Sequence, residues 1–213
     1  MFCKQILLCA ITTVCLCVAL GCGSDKPEKT SSATETLTPA EKKSSLMSVT
    51  LSGGDSSLTL DLPFDVPAPK DESDGITPEL KDIIMSSCSY TARNDEIVFN
   101  VFCATFNAEI IANASEDDFY NAMDAELQNL IAKLNANNNF SDLKTDSLRT
   151  TIDGKLALIM TATYLLNGTD RTKSNVVYVF NGADMWRLIY DYRDDYEPAA
   201  DTVDASINSI KLK

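Results

Sequence analysis

Residues 143–192 read LKTDSLRTTIDGKLALIMTATYLLNGTDRTKSNVVYVFNGADMWRLIYDY, and this stretch decides the fold class. Four runs rich in β-branched and aromatic residues are separated by short turn sequences. Leu143 to Ile152 turns at Asp153-Gly154 into Leu156 to Leu166, a long run without a breaker. Asn167-Gly168-Thr169-Asp170 leads into Val176 to Phe180, and Asn181-Gly182 into Met185 to Tyr192. Asn-Gly and Asp-Gly are favoured where both central residues of a tight hairpin take positive φ, so the stretch predicts an antiparallel meander of four strands.

Working upstream, Ser115 followed by Glu116, Asp117 and Asp118 is a helix start, and Phe119, Met123, Leu127, Leu130, Ile131 and Leu134 recur at the spacing of one apolar stripe. Ile84 to Ala92 and Ile97 to Phe106 flank Arg93-Asn94-Asp95-Glu96 and predict a hairpin. Before it, Pro63 to Gly75 reads as irregular and Thr77-Pro78-Glu79 as the start of one helical turn. Ser48 to Leu51 and Ser57 to Leu62 flank the turn Gly53-Gly54-Asp55. Downstream, Pro198 to Ile207 reads as a helix with Pro near its first turn, followed by a short Ile210 to Leu212 tail. The expected class is α+β: a meandering antiparallel sheet with at least two helices packed on it.

The predicted hairpin carries Cys88 and Cys103, which are all that remain of seven cysteines after residue 22. With Asp95-Glu96 as the loop centre, Cys88 falls opposite Cys103 on the same face, and a disulfide between them is expected in an oxidising compartment. A turn centred one residue earlier would separate them, and two buried reduced thiols are the alternative. The wide spacing is unlike that of a C-x-x-C catalytic dithiol.

The N-terminus has a different character. Lys4 is followed by an almost wholly apolar run from Ile6 to Leu20, too short for a comfortable membrane span and of the length of a secretory signal. It closes on Ala19-Leu20-Gly21-Cys22, which resembles the lipobox of bacterial lipoproteins. The resemblance implies lipid on the Cys22 sulfur, cleavage before it, and attachment to a membrane through several acyl chains, each buried methylene adding about 0.8 kcal/mol. With Gly23 and Ser24 after the cysteine and no Asp directly following it, the resemblance also implies outer-membrane delivery in a cell that has an outer membrane. Residues 23–45 are Ser, Thr, Lys, Glu, Asp and Pro with little that is apolar, and read as a disordered tether. The expected division is 1–21 signal peptide, 22–45 lipidated cysteine and tether, and 46–213 one α+β domain. The anchor is thus extracytoplasmic, and membrane contact runs through Cys22.

An early strand ending in Leu62-Pro63-Phe64, a hairpin, one long amphipathic helix, a meander with Asp153-Gly154 before its longest strand, a strand carrying Trp186 and a closing helix running into Ser209-Ile210 together resemble the PsbP-like group, including the DcrB-like envelope lipoproteins. The similarity covers most of Leu58 to Lys213. It implies an α/β/α sandwich around an antiparallel sheet and an accessory or assembly role. It carries no functional residue onto this chain, and Cys88 and Cys103 are no part of the pattern.

Composition narrows the chemistry. The chain contains no His, which excludes Ser-His-Asp and Cys-His catalysis and the usual zinc and copper sites. No glycine-rich phosphate loop appears. The formal charge is −13, a surface that disfavours nucleic acid as a partner. Asp191, Asp194, Asp195 and Glu197, interleaved with Tyr190, Tyr192 and Tyr196, are the one acidic cluster with ligand chemistry for a cation, though without EF-hand spacing; solvated strand ends are its plainer reading. The expectation is a non-enzymatic accessory or interaction factor of the envelope, with an envelope protein as partner and neither metal nor cofactor. The alternative is a ligand-binding lipoprotein with a small apolar or cation site between sheet and helices, for which Tyr164, Tyr178, Trp186 and Tyr190 are candidate lining residues; core packing is their plainer role.

Overall fold

A computed structural model describes residues 45–213. The expected signal peptide, Cys22 and all of the expected tether except Ser45 lie outside the described residues.

The meander is present: β6 (Phe140–Ile152), β7 (Lys155–Leu166), β8 (Asp170–Asn181) and β9 (Asp184–Arg193) pair in sequence order and antiparallel. Asp153 and Gly154 take φ of 49° and 76°, as a two-residue hairpin loop closed by Ile152 and Lys155 requires. β8 begins six residues before the apolar run at Val176, because Asp170 to Asn175 pair with Leu166 to Thr161 across the turn. Backbone pairing thus extends a strand through polar residues that local composition marks as loop.

The hairpin β4 (Ile84–Arg93) and β5 (Ile97–Phe106) joins this sheet through β5 and β9, and β3 (Lys70–Asp71) adds a short strand beyond β4. The order is β3-β4-β5-β9-β8-β7-β6. The first hairpin, β1 (Met47–Gly53) and β2 (Ser56–Leu62), stands apart: it forms a second sheet with β10 (Lys211–Leu212), in the order β1-β2-β10. The short tail Ile210 to Leu212 thus contains a strand.

Alternation along the central strands builds two cores. Phe102, Ala104 and Phe106 of β5 belong to one, with Met160, Tyr178 and Met185; Val101 and Cys103 belong to the other, with Val177, Trp186, Leu188 and Tyr190. The first core is covered by the helix α2 (Glu116–Ala136), lying across β7 and β6, with Tyr120, Met123, Leu127 and Leu134 buried. Its start is the predicted one: the Ser115 side chain accepts from the Asp118 backbone N–H and the Asp118 carboxylate from the Ser115 N–H, a reciprocal capping box. The sequence reading passed over a shorter helix, α1 (Ala108–Ala112), capped by Asn107. The second core is covered by Leu51, Leu58, Leu60 and Leu62 of the small sheet and by Ala199 and Val203 of the helix α3 (Glu197–Asn208). The fold is α+β, a mostly antiparallel sheet with three helices packed on it.

Candidate functional site

The densest assembly of reactive side chains lies where the first hairpin crosses the large sheet. Cys88 is directly opposite Cys103 across β4 and β5, the register that a loop centred on Asp95-Glu96 requires. That loop is fixed by Asn94, whose side-chain carbonyl accepts from the Glu96 and Ile97 backbone N–H groups at 2.9 and 2.8 Å. Both cysteines stand as free thiols, Cys103 buried and Cys88 half-buried. Across the next strand pair Cys103 faces Trp186, and two residues along, on the same face, Thr105 faces Asp184.

The β1–β2 turn closes this corner. A Cβ on Gly53 would overlap Cys103 Sγ and come within 2.9 Å of the Trp186 ring. At Gly54, which has φ +48°, a Cβ would overlap the Thr105 hydroxyl and the Asp184 carboxylate. The two glycines let backbone lie flat on this sheet face. Tyr90 anchors the turn by donating to the Ser52 carbonyl at 2.5 Å, while its oxygen accepts from the Ser52 N–H at 2.9 Å. Trp186 Nε1–H donates to Ser56 Oγ at 3.1 Å. Asp184 is fully buried, with its Oδ1 accepting from the Thr105 hydroxyl at 2.6 Å.

The thiols differ electrostatically. A hydrogen bond with Cys103 holds Cys88 below the ordinary thiol value, against the opposing effect of burial and of the Asp184 charge. The same contact with Cys88, together with burial, pushes Cys103 well above it.

The four aromatic candidates do not converge. Tyr164 and Tyr178 are in the core beneath α2, whereas Trp186 and Tyr190 are in the core beneath the small sheet and α3, on the opposite face. Register separates them, since Tyr178 pairs with Arg187 and Trp186 with Val179 across β8 and β9, so the four do not line one space. Tyr190 shares a hydrogen bond with Ser206 of α3 at 3.1 Å and Phe99 packs on its ring at 4.8 Å, while Phe140 packs on Tyr164 at 5.1 Å.

The acidic cluster disperses as well. Asp195 is bound by Arg193 in a two-pronged contact of 3.0 and 2.8 Å, and Tyr196 donates to Glu96 at 2.8 Å. Asp191 turns toward Tyr164, whose hydroxyl lies 3.4 Å away; desolvation raises its carboxyl against the lowering effect of the Ser174 and Tyr164 hydrogen bonds. Among the described residues no group of three His, Cys, Asp or Glu side chains is placed to hold a metal ion.

What sequence reasoning missed is the Arg187–Glu126 ion pair, which joins β9 to α2 at 2.7 Å within the first core. Arg187 shares a sheet face with the core residue Met185, and Glu126 lies between Met123 and Leu127 on the helix; those placements were the available signal. No helix among the described residues is long and apolar enough to cross a membrane.

No protein-family model and no curated protein sequence matches the chain. Among solved structures it is similar to the solution structure of cyanobacterial PsbP (CyanoP) from Synechocystis sp. PCC 6803, with a TM-score of 0.46 and 11% identity over 86% of this chain and 98% of that one. It is similar also to LpqN of Mycobacterium tuberculosis, described as involved in cell envelope biogenesis, with a TM-score of 0.43 and 16% identity over 79% of this chain and 91% of that one. A third is PA94, a protein of unknown function from Pseudomonas aeruginosa, with a TM-score of 0.36 and 12% identity over 76% and 94% of the two chains. The resemblance to the PsbP-like group drawn from the order of elements recurs here as a weak one between domains.

Proposed function

We propose that this chain is a lipid-anchored extracytoplasmic protein of the cell envelope whose domain works as a non-enzymatic accessory or interaction factor. The observation that carries the reading is the N-terminal segment, in which Lys4, the apolar run Ile6 to Leu20 and Ala19-Leu20-Gly21-Cys22 supply a start, a signal core and a lipid-attachment cysteine in register.

The interior of the domain supports the second half of the reading. The interface between α2 and the sheet is filled by Tyr120, Met123, Leu127 and Leu134 against Phe102, Met160 and Tyr178. The charges buried there join α2 to β9. Recognition is accordingly assigned to the outer surface and a protein partner of the envelope.

The test is the intact chain in its own envelope. Cys22→Ser is expected to abolish incorporation of an acyl label and to leave the larger precursor; normal processing and membrane retention of that variant would sink the anchoring. Crosslinking followed by detergent purification of the acylated protein is expected to return a reproducible envelope partner. Its absence, together with unchanged envelope-stress sensitivity in a deletion strain, would remove the interaction role.

A further inference from the structure

Directly opposed residues in an antiparallel pair stand about 4.5 or 5.5 Å apart at Cα. Both spacings fall inside the range of about 4.4–6.8 Å over which a disulfide closes without moving backbone. Cys88 and Cys103 are such a pair, on adjacent strands of the large sheet and on one face of it. Their exposures are unequal: Cys103 is 1% exposed and capped by Gly53 and Trp186, while Cys88 is half-buried with Sγ 3.8 Å from the Ser52 carbonyl.

We propose that Cys88 and Cys103 are a redox site, closed to an intramolecular disulfide by a disulfide-bearing oxidant of the envelope, with Cys88 as the entry thiol and Cys103 as the resolving one. The inference rests on the extracytoplasmic reading for its oxidant. In the first step the Cys88 thiolate attacks one sulfur of the donor disulfide. The donor S–S bond breaks, a mixed disulfide forms at Cys88, and the released donor thiolate takes up the proton that Cys88 lost. In the second step Cys103, giving up its own proton, attacks Cys88 Sγ. The Cys88–Cys103 bond forms as the Cys88–donor bond breaks, and the second donor thiolate leaves to be protonated. Two thiols of the chain are oxidised by two electrons, and one donor disulfide is reduced to two thiols.

The order follows from access and from thiolate character. A donor approaching Cys103 first would have to displace the β1–β2 turn, because Gly53 lies against its sulfur. Cys88 is reachable, and its thiol is held below the ordinary value by Cys103, which raises the fraction present as nucleophile. Cys103 is needed only after the mixed disulfide has formed next to it.

The experiment uses the mature, acylated protein purified in detergent, fully reduced and then exposed to oxidised glutathione. Wild type is expected to end two hydrogens lighter with a Cys88–Cys103 crosslinked peptide. Cys103→Ala is expected to trap one glutathione on Cys88, and Cys88→Ala to stay unmodified until denatured. Because either variant could unfold, pulse alkylation of folded, reduced wild type is run alongside, and Cys88 is expected to label ahead of Cys103. Equal labelling of the two thiols, or complete alkylation of both after oxidation and denaturation without reductant, overturns the site and leaves the anchoring reading intact. Free thiols in acylated protein taken directly from the envelope overturn it too. A crosslink in chains that lack acyl label at Cys22 would strike the anchoring reading and leave this site standing.

Discussion

Arg187 Nη1 lies 2.7 Å from Glu126 Oε1, and the two side chains are 5% and 1% exposed. The Arg187 guanidinium also stands 5.4 Å from the centre of the Phe102 ring. The pair holds α2 to the middle of the sheet by a contact that only the folded packing creates. Removing one member leaves a charge in an apolar core, so Glu126→Ala is expected to lower stability by about 3–5 kcal/mol in urea unfolding. Replacing both with apolar residues of similar volume is expected to be close to neutral or stabilising, because the desolvation cost leaves with the pair. A double variant as unstable as the single one would show that the ion pair is a net source of stability.

Ser115→Ala removes the acceptor for the Asp118 N–H and disrupts the capping box at the start of α2. The expected loss is about 1 kcal/mol, read as a fall in the urea midpoint with unchanged slope. Ser115→Asp, another good cap, is expected to recover most of it.

Gly54→Ala combines two costs, a positive-φ backbone worth about 1–2 kcal/mol to an L-residue and a Cβ driven into Thr105 and Asp184. Overpacking adds about 1–3 kcal/mol. Gly154→Ala serves as the control, since φ is +76° there but no atom lies within 4 Å of the added Cβ. The difference between the two variants isolates the close approach of the turn to the sheet.

These positions show what was legible in the sequence. The meander, the hairpin register and the α2 start depend on neighbours in the chain, on alternation, turn residues and capping, and they stand where periodicity placed them. The second sheet does not depend on neighbours: β10 meets β2 about 150 residues away in sequence, and nothing in Ile210 to Leu212 announces that partner. Likewise the alternation of Tyr178 on β8 and of Trp186 and Tyr190 on β9 was in the sequence, but without the order of strands the aromatic residues could be gathered into one imagined cavity. Glu126 was passed over because a glutamate on an amphipathic helix belongs in solvent unless an arginine waits beneath it.

Asp153 gives the fold a pH dependence at its C-terminal strand. Its Oδ2 accepts from the Leu212 backbone N–H at 2.9 Å, and this bond, with Lys211 and Lys155 nearby, holds its carboxyl below the usual value. A depressed acid contributes stability that is complete above the unfolded value, about 3.9, and is lost as pH falls through the folded value. Hydrogen exchange at Leu212 is expected to lose protection in that acid window in wild type. Asp153→Asn is expected to flatten the dependence; an unaltered acid profile in that variant would assign it to other groups.

If the Cys88–Cys103 bond closes, reduction is expected to lower stability by about 3 kcal/mol in the chain-entropy picture for a loop of this size. Thermal unfolding with and without reductant checks it. Cys103→Ala, which also loses buried packing, is expected to cost about 2–4 kcal/mol.

The pairing of β10 with β2 has a temporal consequence. Ser57 and Lys213 exchange backbone hydrogen bonds of 2.9 Å in both directions, so the small sheet is sewn shut by the last residue of the described chain. A polypeptide emerging N-terminus first displays β1 and β2 early, yet their apolar face meets residues of β5 and β9, and their third strand is the last of the described strands to emerge. Until then Leu51, Leu58, Leu60 and Leu62 face solvent, and the unfinished hairpin is a natural station for a holding chaperone. Closure of the small sheet waits on the arrival of β10.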